Sequence, residues 1–178
     1  MKEIETVASK IVYQNRWMTV REDAIRRSDG DEGIYGIVEK PDFAVIAAVE
    51  SGSVFLVEQY RYPLQKRVWE LPQGSWESNE VAPIDLAKAE LQEEVGIVAG
   101  NMTPVGHLFL ACGYSRQGYN VFLATDLQRT QTCLDPEERG LISQPFKIAE
   151  VEAMICEGII EDATTVAVMG LLRLKQLL

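Results

Sequence analysis

The feature that most constrains this chain is an acidic segment, between residues 71 and 97, in which glutamates recur at helical spacing. If residues 84–95 form a helix, four apolar residues share one stripe of it: Ile84, Ala87, Leu91 and Val95. Glu90, Glu93 and Glu94 occupy the adjoining stripe. The pattern therefore predicts a helix that packs against a core and carries a row of carboxylates beside that core.

Like charges three and four residues apart repel one another on an isolated helix, and a cation bound between them relieves this repulsion. Ligation by oxygen alone suits a hard divalent cation, Mg²⁺ or Mn²⁺, which usually also binds substrate phosphates. Gly96 follows as the left-handed residue that ends the helix. A solvated acidic face without any metal is the alternative interpretation.

The charge balance and the cysteines limit the partners and the compartment of the chain. Its 178 residues carry a net charge of −10, which argues against a nucleic-acid partner because a nucleic-acid groove needs a basic patch. No apolar run approaches the roughly 20 residues that span a bilayer, so no membrane partner is expected. Cys112, Cys133 and Cys156 form no CxxC pair, and the cytoplasm is the expected compartment.

The residues before Pro41 predict a small domain of their own. β-Branched and aromatic residues dominate residues 11–20 and 34–39, which favours two or three antiparallel strands. We expect residues 1–40 to form an N-terminal β lobe. Such a ribbon is poorly stable alone and must pack against another part of the protein or against a partner.

Residues 41–178 predict a second domain of mixed α/β type. The run Phe43–Val49 is almost entirely apolar, as is typical of a strand buried on both faces. Further strands are expected over residues 54–60, 105–111 and 118–126, and helices over residues 148–157 and from 162 to the end. Asp162 is expected to cap the last helix.

The acidic helix and the residues before it resemble the Nudix box, G-x5-E-x7-R-E-U-x-E-E-x-G-U, in which U is apolar. The matching residues are Gly74, Glu80, Glu90, Leu91, Glu93, Glu94, Gly96 and Ile97. Two features differ, because Ala89 replaces the arginine of the box and the segment after Glu80 is one residue longer and contains Pro83. The resemblance implies a hydrolase that cleaves nucleoside diphosphates linked to another moiety.

The order of elements is similar to the ADP-ribose pyrophosphatase branch of this family across nearly the whole chain. The supporting segments are QYR at 59–61, WELP at 69–72, FLAT at 122–125, DPEE at 135–138 and GIIEDA at 158–163. The branch implies a Nudix α/β/α sandwich with a mixed sheet, and an N-terminal lobe that helps to form a homodimer and part of the substrate pocket. It also implies metal-dependent cleavage of ADP-ribose into two monophosphates.

The same resemblance assigns roles to particular residues. It makes Glu90 and Glu94 the principal Mg²⁺ or Mn²⁺ ligands, with the carbonyl of Gln73 as a further oxygen. Glu93 would add a ligand or hold the attacking water. In the acidic loop, Glu138 and then Glu137 would position that water. Arg61 matches an arginine that contacts phosphate, although a surface arginine after a strand is the alternative.

Substrate choice is less constrained by the resemblance. The branch often has Ser-Pro-Gly-Phe-Ser-Asp-Glu where residues 111–117 read ACGYSRQ, which puts ADP-ribose itself in question. Arg116 is a candidate phosphate or ribose contact, with a solvated loop arginine as the alternative. Trp17 and Tyr35 are candidates to stack on a base, with core or dimer packing as the alternative. A GDP- or UDP-sugar therefore remains an alternative substrate. A nucleotide-binding regulatory module with little turnover remains an alternative function.

Overall fold

A computed structural model describes residues 2–75, 81–134 and 138–178 of the chain. The strands are β1 (Ile4–Gln14), β2 (Thr19–Arg27), β3 (Glu32–Glu39), β4 (Phe43–Glu50), β5 (Ser53–Arg61), β6 (Lys66–Glu70), β7 (Gln73–Gly74), β8 (Ile97–Phe109), β9 (Gly118–Arg129) and β10 (Ile142–Lys147). The helices are α1 (Pro83–Val95), α2 (Ile148–Cys156) and α3 (Ala163–Leu174), with a 3-10 turn at Tyr62–Leu64. Within the described ranges, no helix is both long and apolar enough to cross a membrane.

The N-terminal strands form a separate antiparallel sheet in the order β1-β2-β3. The prediction of two or three antiparallel strands is confirmed, since three form, and a turn at Asn15 separates the first strand from the second. The Asn15 side-chain oxygen accepts backbone hydrogen bonds from Trp17 at 2.9 Å and from Met18 at 2.8 Å. A side chain that bonds to amides just ahead of it favours a turn over a continuing strand.

The other seven strands form one mixed sheet, in which β10, β5, β4, β9 and β8 lie side by side. β4 pairs in parallel with β9, whereas the other pairings are antiparallel. β6 pairs with β5 and β7 with β4. The middle of β4 is fully buried, since residues 44–48 are all 0% exposed. Its unbroken apolar run in the sequence reflects this burial on two faces.

Helices cover both faces of the mixed sheet. Residues of α1 pack with one core cluster, which includes Ile46, Phe55 and Phe122. Residues of α2 and α3 pack with a second cluster, which includes Val45 and Leu56. Neighbouring residues of β4 thus point into opposite cores, as strand geometry requires. The α/β/α sandwich with a mixed sheet and a small N-terminal antiparallel sheet agrees with the predicted fold.

Two local features at the end of the chain differ in how well the sequence predicts them. Asp162 caps α3 as predicted, because its carboxylate accepts the backbone hydrogen bond of Thr165 at 2.8 Å. β10 was not predicted. It contains Pro145 and lies at the edge of the sheet, where a missing N–H donor is tolerated.

Candidate active site

Helix α1 is the element that positions two of the predicted carboxylates. It begins with Pro83, which lacks the amide hydrogen that the first turn does not need. It ends at Gly96, whose φ of 67° lies in the left-handed region and whose amide bonds to the carbonyl of Gln92 at 3.0 Å. Glu90 and Glu94, one turn apart, are both buried beside the apolar stripe of the helix.

The two buried glutamates of α1 come together with a third carboxylate from a distant loop. Ligand oxygens of Glu90, Glu94 and Glu138 all lie within 4.8 Å of one another, and we call this group the carboxylate cluster. Glu90 is 5% exposed and Glu94 is 1% exposed. Glu138 belongs to a turn before β10 that is closed by a hydrogen bond from the Leu141 amide to the Glu138 carbonyl at 2.9 Å.

Strand β7 holds the cluster from the sheet side. The backbone amide of Gln73 donates a hydrogen bond of 3.0 Å to Glu94 Oε2. The neighbouring Gly74 lies directly against Glu90, since a Cβ at position 74 would be only 2.2 Å from the Glu90 carboxylate. The glycine of the motif is therefore needed here for a close approach of backbone and side chain.

The electrostatics of the carboxylate cluster favour a bound cation. Burial raises the pKa of Glu94 well above its ordinary value, and the nearby charges of Glu90 and Glu138 raise it further, whereas the Gln73 amide lowers it. Carboxylates brought together out of water are costly unless a positive charge compensates them. Three converging carboxylate oxygens are the donor set that a hard divalent cation requires, so the residues fit Mg²⁺ or Mn²⁺.

A second charged network adjoins the cluster and was missed by the sequence analysis. Arg61 donates two hydrogen bonds to the 2% exposed carboxylate of Glu70, at 2.7 and 2.6 Å. The Gln73 side-chain amide also donates to Glu70. Burial lowers the pKa of Arg61, but Glu70, with smaller contributions from Glu94 and Asp162, more than offsets this effect and holds that pKa above its ordinary value.

A cleft of about 440 Å³ opens beside these groups. Its lining includes Arg61, Glu70, Gln73 and Gly74, so the network and the β7 backbone that contacts the cluster both face it. The remaining lining residues are Lys40, Phe43, Pro63, Leu64, Val68, Ser75, Leu110, Gln117, Glu161, Asp162, Ala163 and Thr164. The volume suits a small-molecule substrate, and both cationic and apolar groups are available to bind it.

The other predicted acidic residues do not join the carboxylate cluster within the described part of the chain. Glu93 is half-buried and is not part of the carboxylate cluster, while its backbone carbonyl accepts the Cys133 amide at 3.1 Å. Glu137 lies outside the described residues, as does Glu80 of the motif. Lys88, next to the position where the motif has arginine, is exposed, and its ammonium lies 3.9 Å from Asp85.

The predicted substrate residues Arg116, Trp17 and Tyr35 do not line this cleft. Arg116 is exposed and borders a separate groove with Lys40 and neighbouring residues. Trp17 is 52% exposed, with the Arg16 guanidinium 4.1 Å from its ring centroid. Tyr35 donates a hydrogen bond of 2.9 Å to the Gly113 carbonyl.

Gln117 is a cleft residue that the sequence analysis noted only as a departure from the branch pattern. It is 6% exposed, and its side-chain amide donates to the Pro41 carbonyl at 2.8 Å. His107, the single histidine, bonds to Asp42 at 2.9 Å and does not line the cleft. The fold brings Gln117 to the wall of the cleft beside segments far from it in the chain, and the neighbouring sequence does not predict that placement.

Family models match both parts of the chain. A model described as the nucleoside diphosphate sugar hydrolase N-terminal domain matches residues 4–38. The model of the NUDIX domain matches residues 39–156, which is more than half of the chain. The chain belongs to the Nudix family. The family and the pyrophosphohydrolase class that the sequence predicts are therefore confirmed.

Individual relatives of this Nudix protein extend the likeness to its full length. An ADP-ribose pyrophosphatase of Mycobacterium tuberculosis is 29% identical over 172 residues, which cover 96% of this chain and 82% of the relative. An ADP-ribose pyrophosphatase of Bacillus subtilis is 28% identical over 187 residues, covering 100% of this chain and 98% of the relative. A crystal structure of an ADP compounds hydrolase superimposes with a TM-score of 0.86 at 20% identity, covering 97% of this chain and 94% of that one, and so shares the fold.

Proposed function

We propose that this Nudix protein hydrolyses the diphosphate linkage of a nucleoside diphosphate sugar, with ADP-ribose as the first candidate. The observation that carries the proposal is the convergence of Glu90, Glu94 and Glu138 beside a cleft of substrate size. Two full-length relatives are named ADP-ribose pyrophosphatase, which supports this choice of substrate. The N-terminal match to nucleoside diphosphate sugar hydrolases supports the broader class.

The carboxylate cluster would hold the catalytic cation. Glu90, Glu94 and Glu138 are its proposed ligands. The Gln73 carbonyl on β7 is the further proposed oxygen ligand, and the Gln73 amide orients Glu94. Mg²⁺ is the first choice and Mn²⁺ the second, because the donors are hard oxygens. When bound, such an ion supplies neutralising charge at the diphosphate and promotes ionisation of the attacking water.

The reaction is the attack of water on one phosphorus of the diphosphate. A bond forms between the water oxygen and phosphorus, the bridging P–O bond breaks, and the proton of the water passes to a carboxylate. Glu138 is the first candidate for this base, with Glu137 and Glu93 as the next. Arg61 is the proposed phosphate contact, since it lines the cleft while Glu70 fixes its guanidinium. ADP-ribose would yield AMP and ribose 5-phosphate.

Another nucleotide sugar, such as a GDP- or UDP-sugar, is the second candidate substrate. Gln117 lines the cleft wall at a position where the branch often has an acid. An amide can donate as well as accept hydrogen bonds, whereas an ionised carboxylate only accepts them, so the wall would recognise different substrate groups.

A panel of nucleoside diphosphate sugars decides between these candidates. Each compound is incubated with the protein and Mg²⁺, and the released monophosphates are measured as phosphate after phosphatase treatment. We expect turnover that EDTA abolishes, with ADP-ribose giving the highest kcat/KM. Binding of these compounds without turnover of any of them would contradict the hydrolase proposal and favour the nucleotide-binding module.

We further propose that the protein is a homodimer joined through its N-terminal sheet. β1 is exposed along its whole length and presents several large apolar side chains to solvent: Ile4, Val7, Ile11, Val12 and Tyr13. Large apolar side chains concentrated on one exposed strand are typical of an interface. Tyr35 and Arg116 line a groove together with Ile4 of β1, and Trp17 lies between β1 and β2, so any substrate contact they make would involve the N-terminal sheet.

Light scattering tests the dimer directly. The expected mass is about twice the 19.9 kDa of one chain. Ile11→Lys should shift the protein toward the monomer, whereas the same change at Ile159, an exposed residue after α2, should not. A wild-type monomer at all accessible concentrations would contradict the proposal.

A further inference from the structure

Arg67 of β6 makes an unusual set of contacts that the proposed reaction does not explain. Its guanidinium donates to the Glu58 carboxylate at 2.6 Å and to the Glu58 carbonyl at 2.7 Å. It also donates to the carbonyl of Gly140 at 2.8 Å. Since β5, which carries Glu58, pairs with β6 on one side and β10 on the other, the Arg67 side chain reaches across β5 to the turn before β10.

That turn carries the one member of the carboxylate cluster that α1 does not supply. The Leu141 amide bonds to the Glu138 carbonyl at 2.9 Å, and the 8% exposed Leu141 side chain packs in the same core cluster as α1. Gly140 has a φ of 86°, which few residues other than glycine adopt. The turn is therefore anchored at two points, by Leu141 in the core and by Arg67 at the surface.

We propose that Arg67 is a positioning residue that holds Glu138 in the carboxylate cluster by fixing the Gly140 carbonyl. The inference rests on the proposed function, in which Glu138 binds the cation and serves the attacking water. The Arg67 side chain is 40% exposed and its partner Glu58 21% exposed, so the pair contributes little to global stability. Its third hydrogen bond, to the Gly140 carbonyl, instead holds a backbone only two residues from Glu138, where a small displacement would move a proposed metal ligand.

The test compares Arg67→Gln with Arg173→Gln, both alone and with Glu138→Gln. Arg173 is a matched control because it forms an exposed ion pair with Glu152, between α3 and α2, and does not line the cleft. We expect Arg67→Gln to weaken Mn²⁺ binding in a calorimetric titration by about 10- to 100-fold, as substitutions behind metal ligands typically do. kcat should fall with little change in KM, and Arg173→Gln should change neither quantity.

The Glu138→Gln background distinguishes positioning from general destabilisation. If Arg67 acts through Glu138, adding Arg67→Gln to Glu138→Gln should cause no further loss of Mn²⁺ affinity, since effects through one group are not additive. Should Arg67→Gln fold poorly, Arg67→Lys keeps the charge but not the forked donors, and a smaller loss of affinity is expected from it.

The outcomes separate this inference from the proposed function. Unchanged Mn²⁺ affinity in a folded Arg67→Gln protein, or an additive loss in the Glu138→Gln background, would overturn the positioning role while leaving the hydrolase proposal intact. If no substrate is turned over but wild-type Mn²⁺ binding depends on Arg67 in the manner described, the positioning role is supported and the hydrolase proposal fails. A wild-type protein that binds no Mn²⁺ overturns both.

Discussion

The Glu90 carboxylate occupies the space where a side chain on Gly74 would begin. A Cβ at position 74 would lie 2.2 Å from both carboxylate oxygens of Glu90, and non-bonded atoms in proteins do not approach so closely. The contact joins β7, at the wall of the cleft, to α1, which carries two of the three clustered glutamates. The first glycine of the motif and its first helical glutamate thus act as one structural unit.

Gly74→Ala should displace Glu90 from the carboxylate cluster. The added methyl cannot be accommodated without moving either β7 or the Glu90 side chain, and inserting an atom into a packed site typically costs about 1–3 kcal/mol. We expect kcat of the Mg²⁺-dependent reaction to fall by more than the loss of unfolding free energy alone would explain. Steady-state kinetics and denaturant unfolding measure the two effects. Gly36→Ala, where a Cβ meets nothing within 4 Å, serves as the control. A Gly74→Ala protein with full activity would show that the close approach is not needed.

Glu94→Gln should abolish turnover yet stabilise the metal-free protein. Glutamine keeps an oxygen that can accept the hydrogen bond of the Gln73 amide, but it removes the ionisable carboxyl. Burial raises the pKa of Glu94 because it destabilises the ionised form, so removing that form relieves the cost. In differential scanning calorimetry with EDTA, the melting temperature should rise, by about 2–4 °C for each kcal/mol gained in a chain of this size. Saturating Mg²⁺, at about 100 times its Kd, should add about 2.7 kcal/mol to wild-type stability and much less to the variant. Equal stabilisation of both proteins by Mg²⁺ would mean that Glu94 is not a ligand.

Helical periodicity accounts for the part of the site that sequence reasoning reached on its own. Glu90 and Glu94 are one turn apart beside an apolar stripe, and the structure buries both of them as the spacing requires. Glu138 joins them from a loop 44 positions beyond Glu94, and no local pattern contains that distance. It was proposed only because the acidic loop resembles one in a known branch.

The rest of the site depends on pairings that become visible only in the folded chain. Glu70 enters the sequence argument only as part of the WELP segment at 69–72, whereas the structure buries it and pairs it with Arg61. β10 was missed because a short strand containing a proline gives a weak signal, although its register against β5 places Gly140 within reach of Arg67. Cross-strand neighbours set these contacts, and a single sequence does not specify which strands become neighbours.

Arg61→Ala should reduce both stability and substrate binding, and a compensating change at Glu70 can separate the two effects. Removing Arg61 leaves the carboxylate of Glu70 buried with only the Gln73 side chain as a described partner, at a cost of about 1–3 kcal/mol. The double variant Arg61→Met with Glu70→Gln removes the buried charge and should recover most of the unfolding free energy. If Arg61 contacts phosphate, KM for the substrate stays raised in the double variant. Recovery of KM together with stability would assign Arg61 a purely structural role.

The N-terminal sheet should lose stability in acid through Asp23. This carboxylate on β2 is 3% exposed, and a hydrogen bond with Ser9 of β1 is the main reason that its pKa lies below the ordinary value; Arg21 lowers the pKa further, while burial opposes both. A carboxyl whose pKa is lower in the folded state stabilises the fold above its unfolded pKa of about 3.9 and loses this contribution as the pH falls through the folded value. Denaturant unfolding from about pH 7 down to about pH 3, a range that includes the unfolded pKa of about 3.9, should therefore show a decline that is smaller in Asp23→Asn. Glu3→Gln, at an exposed position before β1, should leave the decline unchanged, and an identical decline in wild type and Asp23→Asn would refute the linkage.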